Sequence, residues 1–397
     1  MRILYHHRTL GDGAEGIHVR EMIQAFRELG HEVQVIGPTG ADTPRTSRKL
    51  RALEALKAAL PTAAYELAEM TYSAYAFARA SGAIRRFRPH FIYDRYNIFN
   101  AGIVLAGRAN GVPVLLEVNA PVALERRQQP DDTLRFRRLA AAMERWICAH
   151  ASRALVVSSP LKEYLESIGV PQGQCVVMPN GADPRRFAPR EKDQALLAGL
   201  GIEPGQLVVG FTGILRAWHG LDLLVDAARC LTDRGASVRF LIVGDGPYRQ
   251  PLETRIASLG LKEVVRITGR VDHDRVPEYV SGFDVAVSPK STFYASPMKV
   301  IEYMALGKAV VVPRTPNFLD LVDDGLTGLT FENGEAESLA EAIEVLCSSP
   351  ELRAKLGRAA RLKVEHRLNW QWNAREACKL ARELTAPASL SARGELE

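Results

Sequence analysis

Apolar positions at the start of the chain change their spacing twice. A short apolar run at 2–5 precedes a glycine-rich segment at 8–16, and from Ile17 to Leu29 the apolar residues recur at helical spacing. Gly30 ends this pattern, and a second apolar run occupies 33–36. The pattern predicts a strand, a helix and a second strand parallel to the first, the repeating unit of α/β proteins.

The alternation of apolar runs and helical patterns recurs in two series. A segment rich in proline and glycine at 178–184 separates them and is typical of a linker. The predicted strands lie at 91–93, 114–116 and 154–157 in the first series and at 207–211, 239–243, 264–268, 285–288 and 309–312 in the second. A last helical pattern runs from Trp370 to Leu384. We predict two tandem Rossmann-like doubly wound α/β domains, over 1–183 and 184–369.

Composition and charge narrow the class of protein. The 397 residues are 47% hydrophobic and 24% charged, as in ordinary globular domains. Basic and acidic residues are interleaved, so the sequence lacks the basic block typical of nucleic-acid binding, and no nucleic-acid partner is expected. The five cysteines lie too far apart for a zinc cluster or a disulfide framework, so no metal is expected. Because no apolar stretch suits a signal sequence or a membrane span, we expect a cytoplasmic protein.

Gly11, Gly13 and Gly16 lie between the first predicted strand and helix in the pattern G-x-G-x-x-G. Such glycines let backbone N–H groups approach a phosphate at a helix N-terminus. NAD(P)-dependent dehydrogenases share the pattern. Two features argue against a dehydrogenase here. Arg8-Thr9-Leu10 separate the end of the first strand from the first glycine, so the turn is looser than the dehydrogenase pattern requires. The second strand ends in Ile36-Gly37, without an acidic residue to bind a ribose hydroxyl. A permissive loop without a ligand is a further alternative.

A second candidate loop follows the predicted strand 207–211. It runs from Thr212 to Gly220 and contains Gly213, Arg216 and His219. Because the strand is predicted in a parallel sheet, Arg216 and His219 are expected at its carboxyl edge, where α/β proteins bind ligands. A solvated side chain is the alternative for each.

The segment 296–307 predicts a short helix with two charged residues on one face. Ser296 is expected to cap the helix, Pro297 to occupy its first position and Gly307 to end it. Lys299 is unfavourable near the positive N-terminus of a helix unless an anion binds there, which suggests a diphosphate. Glu302, three residues on, could accept hydrogen bonds from both hydroxyls of a ribose. The alternative is a surface Lys–Glu pair.

At this helix the sequence resembles the retaining, nucleotide-sugar-dependent glycosyltransferases of family four, whose GT-B fold has two domains facing across a cleft. The resemblance extends over nearly the whole chain and rests on the order of several short motifs. These are GHEV at 30–33, PNGAD at 179–183 followed by Arg186-Phe187, VGDGP at 243–247, TGRV at 268–271, EYMALGK at 302–308 and GLTG at 325–328.

The resemblance implies that the second domain binds a UDP-, GDP- or dTDP-sugar and that the first binds a glycan or lipid-linked acceptor. It also implies that the segment 370–397 returns to the first domain. Transfer with retention by front-face attack, without metal or cofactor, in cell-surface polysaccharide or glycolipid assembly, is the expected activity. The candidate residues are Arg216, His219 and Lys299 for catalysis, and Gly13, Gly16, Gly213, Arg270, Ser296, Met298 and Glu302 for binding of the nucleotide sugar.

Three positions depart from the family pattern. Ile214 and His219 replace an Arg and a Lys that grip the diphosphate, Tyr294 replaces the first of two glutamates, and Asn119 replaces a histidine. We expect Arg216, His219 and Lys299 to restore the cationic grip. A catalytically inactive binding or scaffold subunit is the alternative that the departures suggest.

The acceptor side is expected to include Arg95, Glu117 and Asn119, which follow predicted strands of the first domain. Residues 1–185 hold 24 Lys and Arg against 18 Asp and Glu, so this part is basic and favours an anionic acceptor. The basic segment 43–60 could rest on an anionic membrane as an amphipathic helix, which would make the protein peripheral at the cytoplasmic face. A solvated helix face is the more common explanation of such a run.

Overall fold

A computed structural model describes residues 1–9, 13–37, 61–128 and 134–386. The chain divides into two compact units. The first begins at Met1, ends at Met178 and includes the last helix, and the second is Pro179–Asn369. The division falls five residues before the predicted boundary, so the segment 179–183 belongs to the second unit. The basic segment 43–60 lies outside the described residues, as does Gly11.

The first unit is built on a parallel sheet of six strands in the order β2-β1-β3-β4-β5-β6. Its elements are β1 (Arg2–His6), α1 (Ala14–Glu28), β2 (Glu32–Ile36), α2 (Thr62–Phe87), β3 (Phe91–Arg95), α3 (Gly102–Asn110), β4 (Val114–Val118), α4 (Val122–Gln128), α5 (Arg137–His150), β5 (Arg153–Val156), α6 (Ser159–Ser167), β6 (Cys175–Val177) and α15 (Trp370–Thr385). The chain proceeds outwards from β1 to β2 and then from β3 to β6, so the strand order reverses between β1 and β3.

The second unit has its own six-stranded parallel sheet, in the order β12-β11-β10-β7-β8-β9. Its elements are α7 (Gln194–Gly199), β7 (Leu207–Thr212), α8 (Leu221–Asp233), β8 (Val238–Val243), α9 (Arg249–Ser258), β9 (Val265–Ile267), α10 (Val276–Ser281), β10 (Val285–Val287), α11 (Met298–Ala305), β11 (Ala309–Pro313), α12 (Pro316–Leu319), β12 (Leu329–Phe331), α13 (Ala336–Ser348) and α14 (Pro350–His366). Here the strand order reverses between β7 and β10.

The central strands of both sheets are apolar and buried because helices cover both faces. All five residues of β4 and of β11 are buried, as expected for parallel strands that face helices on both sides. The two sheets confirm the predicted fold class of two doubly wound α/β domains. Among the described helices, none combines the length and the hydropathy that crossing a bilayer requires.

The two ends of the second unit are joined to each other. The Ala182 N–H donates to the Leu368 carbonyl at 3.1 Å, and Ala182 and Asn369 form a parallel bridge. Asn369 is buried in the second unit, and the next residue, Trp370, is buried in the first. The second boundary between the units therefore falls between Asn369 and Trp370.

Candidate active site

The candidate donor site lies at the strand-order reversal of the second unit. The loop 213–220 follows β7, and the segment 288–297 follows β10 and leads into α11. In doubly wound sheets the loops on the two sides of such a reversal diverge and leave a crevice at the carboxyl ends of the strands. The fold thus brings together Gly213, Arg216, His219 and Lys299, which are up to 86 residues apart in sequence.

Lys299 is the most unusual residue of this site. Its ammonium Nζ is buried and has no hydrogen-bond partner within the described ranges. It lies 4.1 Å from the centre of the Phe211 ring and 3.0 Å from the point that a Cβ atom on Gly213 would occupy. Burial lowers the Lys299 pKa from 10.5 to about 7, although the carboxylate of Glu302 opposes the shift. Within the described part of the chain, no anion is hydrogen-bonded to this group.

Gly213 makes room for that ammonium. Its φ of 143° lies in the region that favours glycine, and a side chain there would meet Lys299 Nζ. The Gly213 N–H donates to the Val243 carbonyl at 3.0 Å. The absence of a side chain at Gly213 therefore leaves space for the Lys299 ammonium, and the Gly213 N–H is already engaged. Its role in binding a nucleotide sugar stays a prediction.

His219 is neutral in the ligand-free protein, so the positive charge that we expect it to add to the diphosphate site requires its protonation. Its Nδ1 donates to the Ile214 carbonyl at 2.8 Å, because a carbonyl can only accept. Burial, with the charges of Lys299 and Arg216 nearby, lowers the His219 pKa to about 3. Nε2 is then an acceptor, and it must gain a proton before it can donate to a phosphate.

Arg216 is supported by an aromatic ring that the sequence analysis did not single out. Its guanidinium carbon lies 5.0 Å from the centre of the Trp218 ring, which is 48% exposed. Such stacking restricts a long side chain and leaves its N–H groups available. The Arg216 and Trp218 side chains both come from the short turn that precedes α8. Gly220 ends this turn with a φ of 67°, a left-handed conformation that favours glycine.

The start of α11 differs from the prediction. The helix begins at Met298 with Pro297 as N-cap, and no side chain caps it. Ser296 is not the cap because Asn180 engages it: the Asn180 N–H donates to Ser296 Oγ at 3.0 Å, and Asn180 Nδ2 donates to the Ser296 carbonyl at 2.8 Å. Met298 is half-buried in the first turn of α11. Arg270 is exposed after β9, in a different loop.

Glu302 is 6% exposed and is held by a residue that the sequence analysis missed. His273, in the loop after β9, places Nε2 3.2 Å from Glu302 Oε1. Arg186 Nη2 lies 2.5 Å from the other ring nitrogen of His273 and 2.8 Å from Asp274. Arg186-Phe187 was part of the family motif, so the sequence contained one signal of this arrangement, but His273 itself follows no pattern.

In the first unit, the helix that follows the glycine-rich segment begins earlier than predicted. The helix α1 begins at Ala14, three residues earlier than expected, so Gly16 lies in its first turn and Gly13 is its N-cap. The Gly16 N–H donates to the Gly13 carbonyl at 3.0 Å and is not free for a phosphate. Glu15 already places a carboxylate at this helix N-terminus, where it interacts favourably with the helix dipole.

The three acceptor-side candidates form one buried network at the carboxyl ends of β3 and β4. Glu117 Oε1 accepts from Arg95 Nη1 and from Asn119 Nδ2, each at 2.5 Å, and Oε2 accepts from the Tyr93 hydroxyl at 2.8 Å. Burial raises the Glu117 pKa, but neighbouring His18 and Arg95 outweigh burial and lower it overall. Glu117 therefore holds Arg95 and Asn119 in place, and these two are the residues with surface remaining for a ligand.

His18 and His6 extend this region, and neither was predicted. Arg95 Nη1 donates to His18 Nδ1 at 2.6 Å, and burial lowers the His18 pKa to about 4, so His18 is neutral at pH 7. His6 lies at the end of β1, with Nδ1 2.6 Å from Asp94 Oδ1 and Nε2 3.1 Å from the Tyr72 hydroxyl. In the ranges that the structure describes, no three His, Cys, Asp or Glu side chains are arranged to hold a metal ion.

Two family profiles match the chain. The profile of Glycosyltransferase Family 4 matches residues 15–186, and that of the glycosyl transferases group 1 matches residues 193–363. The chain belongs to the group 1 glycosyltransferases of family four. This assignment confirms the resemblance, identifies the protein as a glycosyltransferase, and replaces the dehydrogenase interpretation of the glycine loop.

Two proteins of similar sequence and one of similar structure are consistent with this assignment. The alpha-D-kanosaminyltransferase of Streptomyces kanamyceticus is 28% identical over 64% of this chain and 67% of its own length. A D-inositol 3-phosphate glycosyltransferase of Nocardiopsis dassonvillei is 29% identical over 75% of this chain and 71% of its own. Anabaena HepE, solved in complex with UDP, superimposes with a TM-score of 0.70 at 17% identity, over 96% of this chain and all (100%) of that one, and supports the GT-B fold.

Proposed function

We propose that this glycosyltransferase transfers a sugar from a nucleotide-diphosphate sugar to a glycan or lipid-linked acceptor, with retention of the anomeric configuration, in cell-surface polysaccharide or glycolipid assembly. The observation that carries the proposal is the buried ammonium of Lys299 without a hydrogen-bond partner among the described residues. A buried charge of this kind is unfavourable unless it is paired, and the diphosphate of a nucleotide sugar would pair it. UDP bound to HepE supports a donor of this class.

The reaction that we propose needs positive charge and hydrogen-bond donors at the leaving group. The bond between the sugar C1 and the phosphate oxygen breaks, and its electron pair goes to the phosphate. The acceptor oxygen bonds to C1 on the same face, and its proton goes to the departing phosphate oxygen. Lys299 and Arg216 would stabilise the negative charge that develops there, and His219 would contribute once it is protonated. Glu302 would accept from the ribose.

The test is a panel of UDP-, GDP- and dTDP-sugars, assayed for release of the nucleoside diphosphate with and without EDTA. We expect one donor to be hydrolysed slowly in the absence of an acceptor, with a rate that EDTA does not change. Lys299→Met should lower this rate by at least 100-fold. Binding of a nucleotide sugar without hydrolysis or transfer would favour the inactive scaffold. With an acceptor in hand, NMR of the anomeric proton of the product would test retention.

We further propose an anionic acceptor bound by the first unit. Arg95 is 13% exposed at its side chain and is fixed by Glu117 at the carboxyl edge of the sheet, and the surrounding half of the chain is basic. A guanidinium fixed in this way suits a phosphate or carboxylate group of an acceptor. Arg95→Ala should then raise the KM for an anionic acceptor more than it raises the KM for the donor.

A further inference from the structure

Arg186, His273 and Glu302 form a chain of hydrogen bonds that ends at the second turn of α11. The Arg186 Nη2 to His273 Nδ1 distance is 2.5 Å, and the His273 Nε2 to Glu302 Oε1 distance is 3.2 Å. Phe187 packs against the side of this chain, with its ring centre 5.9 Å from that of His273 and in an edge-on orientation. All four residues belong to the second unit.

The directions of these hydrogen bonds determine which ring nitrogen of His273 carries the proton. A guanidinium carries only donors, so His273 Nδ1 must present its lone pair to Arg186. The ring is then neutral, and its one proton is on Nε2, which faces Glu302. Each member thus donates to the next, and the direction of the chain fixes Glu302 Oε1 as an acceptor that is already in use.

The consequence concerns how Glu302 can meet a nucleotide. A glutamate has three rotatable side-chain bonds, and without an anchor its carboxylate would populate several rotamers. His273 restrains one oxygen, so the other is held in a fixed direction from α11. We infer that His273 is a positioning residue that sets the selectivity of the site for ribose over deoxyribose, acting through Glu302, with Arg186 fixing the orientation of its ring. This inference rests on the proposed binding of a nucleoside diphosphate.

The experiment measures dissociation constants by calorimetry for UDP, GDP and ADP and for their 2′-deoxy and 3′-deoxy counterparts, on the full-length protein. In the wild type, we expect the preferred ribonucleotide to bind about 100-fold more tightly than one of its deoxy forms, because that deoxy ligand makes one hydrogen bond fewer to the Glu302 carboxylate. His273→Phe retains the ring against Phe187 but removes the donor. It should reduce this selectivity about tenfold and leave the affinity for the deoxy form unchanged.

Two further variants separate positioning from folding. His273→Gln restores an N–H near the position of Nε2 and should recover most of the selectivity. Arg275→Ala is the matched control, because Arg275 lies in the same turn but pairs with Glu278 at 3.0 Å, and it should behave as the wild type. A His273→Phe protein that binds and discriminates like the wild type would overturn the inference alone. Failure of every nucleoside diphosphate to bind the wild type would overturn the proposed function as well, and wild-type binding without discrimination would remove the role of Glu302.

Discussion

Lys299 illustrates how a residue proposed to bind a ligand can lower the stability of the ligand-free protein. Its ammonium is buried beside the Phe211 ring without a hydrogen-bond partner in the described residues, and such a group favours the unfolded chain, where water solvates it. A side chain of similar length without the charge fills the same space. The residue that the proposed reaction needs is therefore one that the ligand-free protein would be more stable without.

We predict that Lys299→Met raises the free energy of unfolding of the ligand-free protein by about 1–2 kcal/mol, as measured by urea denaturation, and abolishes the stabilisation that a nucleoside diphosphate gives to the wild type. The ordinary pKa of 10.5 in the unfolded chain exceeds the value of about 7 in the folded protein, so wild-type stability rises with pH between these values. The variant should lose that rise. A destabilised variant would show that the ammonium has an ordinary structural role.

The same pKa predicts that ligand binding takes up a proton. At pH 8 the amine of Lys299 is mostly neutral in the free protein, and a neighbouring diphosphate would raise its pKa and charge it. Affinity should therefore fall as pH rises above 7, by up to about tenfold per pH unit. Calorimetry at pH 8 in two buffers of different ionisation enthalpy measures the proton uptake. An uptake that persists in Lys299→Met would assign it to another group, with His219 the first candidate.

For single residues of the candidate site, the sequence predicted the arrangement correctly where the residues share one helix. Lys299 and Glu302 are three apart, so their common face followed from helical geometry. The Ser296 cap was wrong because Asn180, 116 residues away, occupies the hydroxyl. His273 was missed for a related reason, since it meets Glu302 only through the packing of the loop after β9 against α11. Local patterns do not contain such long-range competition for hydrogen bonds.

Among the elements, α15 packs against the first unit along one face, and Trp370 is the largest of its buried side chains. Trp370, at its start, is 3% exposed, and its ring centre lies 4.6 Å from that of His18 on α1. His18 in turn contacts Arg95, which belongs to the network around Glu117. The last helix of the chain is therefore packed against the region proposed to bind the acceptor.

We predict that Trp370→Ala lowers the free energy of unfolding of the first unit by roughly 3–5 kcal/mol, because it leaves a cavity beside His18. Hydrogen exchange of α1 and α15 should accelerate in the variant. Gln371→Ala is the control: Gln371 also links α15 to α1, through an exposed hydrogen bond with Glu28, and should change stability by less than about 0.5 kcal/mol. Equal effects of the two substitutions would contradict the role given to Trp370.

The strands and helices were predictable from the sequence where their pattern of apolar and turn residues is local. Strands such as β7 and β11 are continuous apolar runs between turn residues, and their positions matched to within a residue or two. The start of α1 was placed three residues late because Gly13 at its N-cap and Gly16 in its first turn resemble a loop. Which strands become neighbours is decided by connections along the whole chain, and the strand-order reversals at β1/β3 and β7/β10 emerged only in the structure.

Considered as a whole, the molecule has its excess positive charge in the first half of the sequence. Residues 1–185 carry a net charge of +6, and the remainder is close to neutral. A part of that charge falls in the segment 43–60. Charge of this magnitude attracts anionic surfaces over about a Debye length, and salt weakens the attraction.

We predict that the protein sediments with vesicles containing 30% phosphatidylglycerol in phosphatidylcholine and that 0.5 M NaCl releases it. The triple variant Arg48→Ala, Lys49→Ala and Arg51→Ala should reduce the bound fraction several-fold. Lys355→Ala with Arg358→Ala removes exposed charges from α14 of the second unit and serves as the control. Binding that persists at high salt would indicate an apolar contact in place of the electrostatic one.

The joined ends of the second unit have a consequence for how this enzyme could change its chemistry. Because Ala182 is hydrogen-bonded to Leu368, the segment between them begins and ends at adjacent points of the second unit, as an inserted domain does. Recombination at these two points would replace all of Lys299, His273 and Glu302 in one event and leave Arg95 and Glu117 untouched. The chain is thus suited to exchange the proposed donor site as a module while it keeps the residues proposed to bind the acceptor.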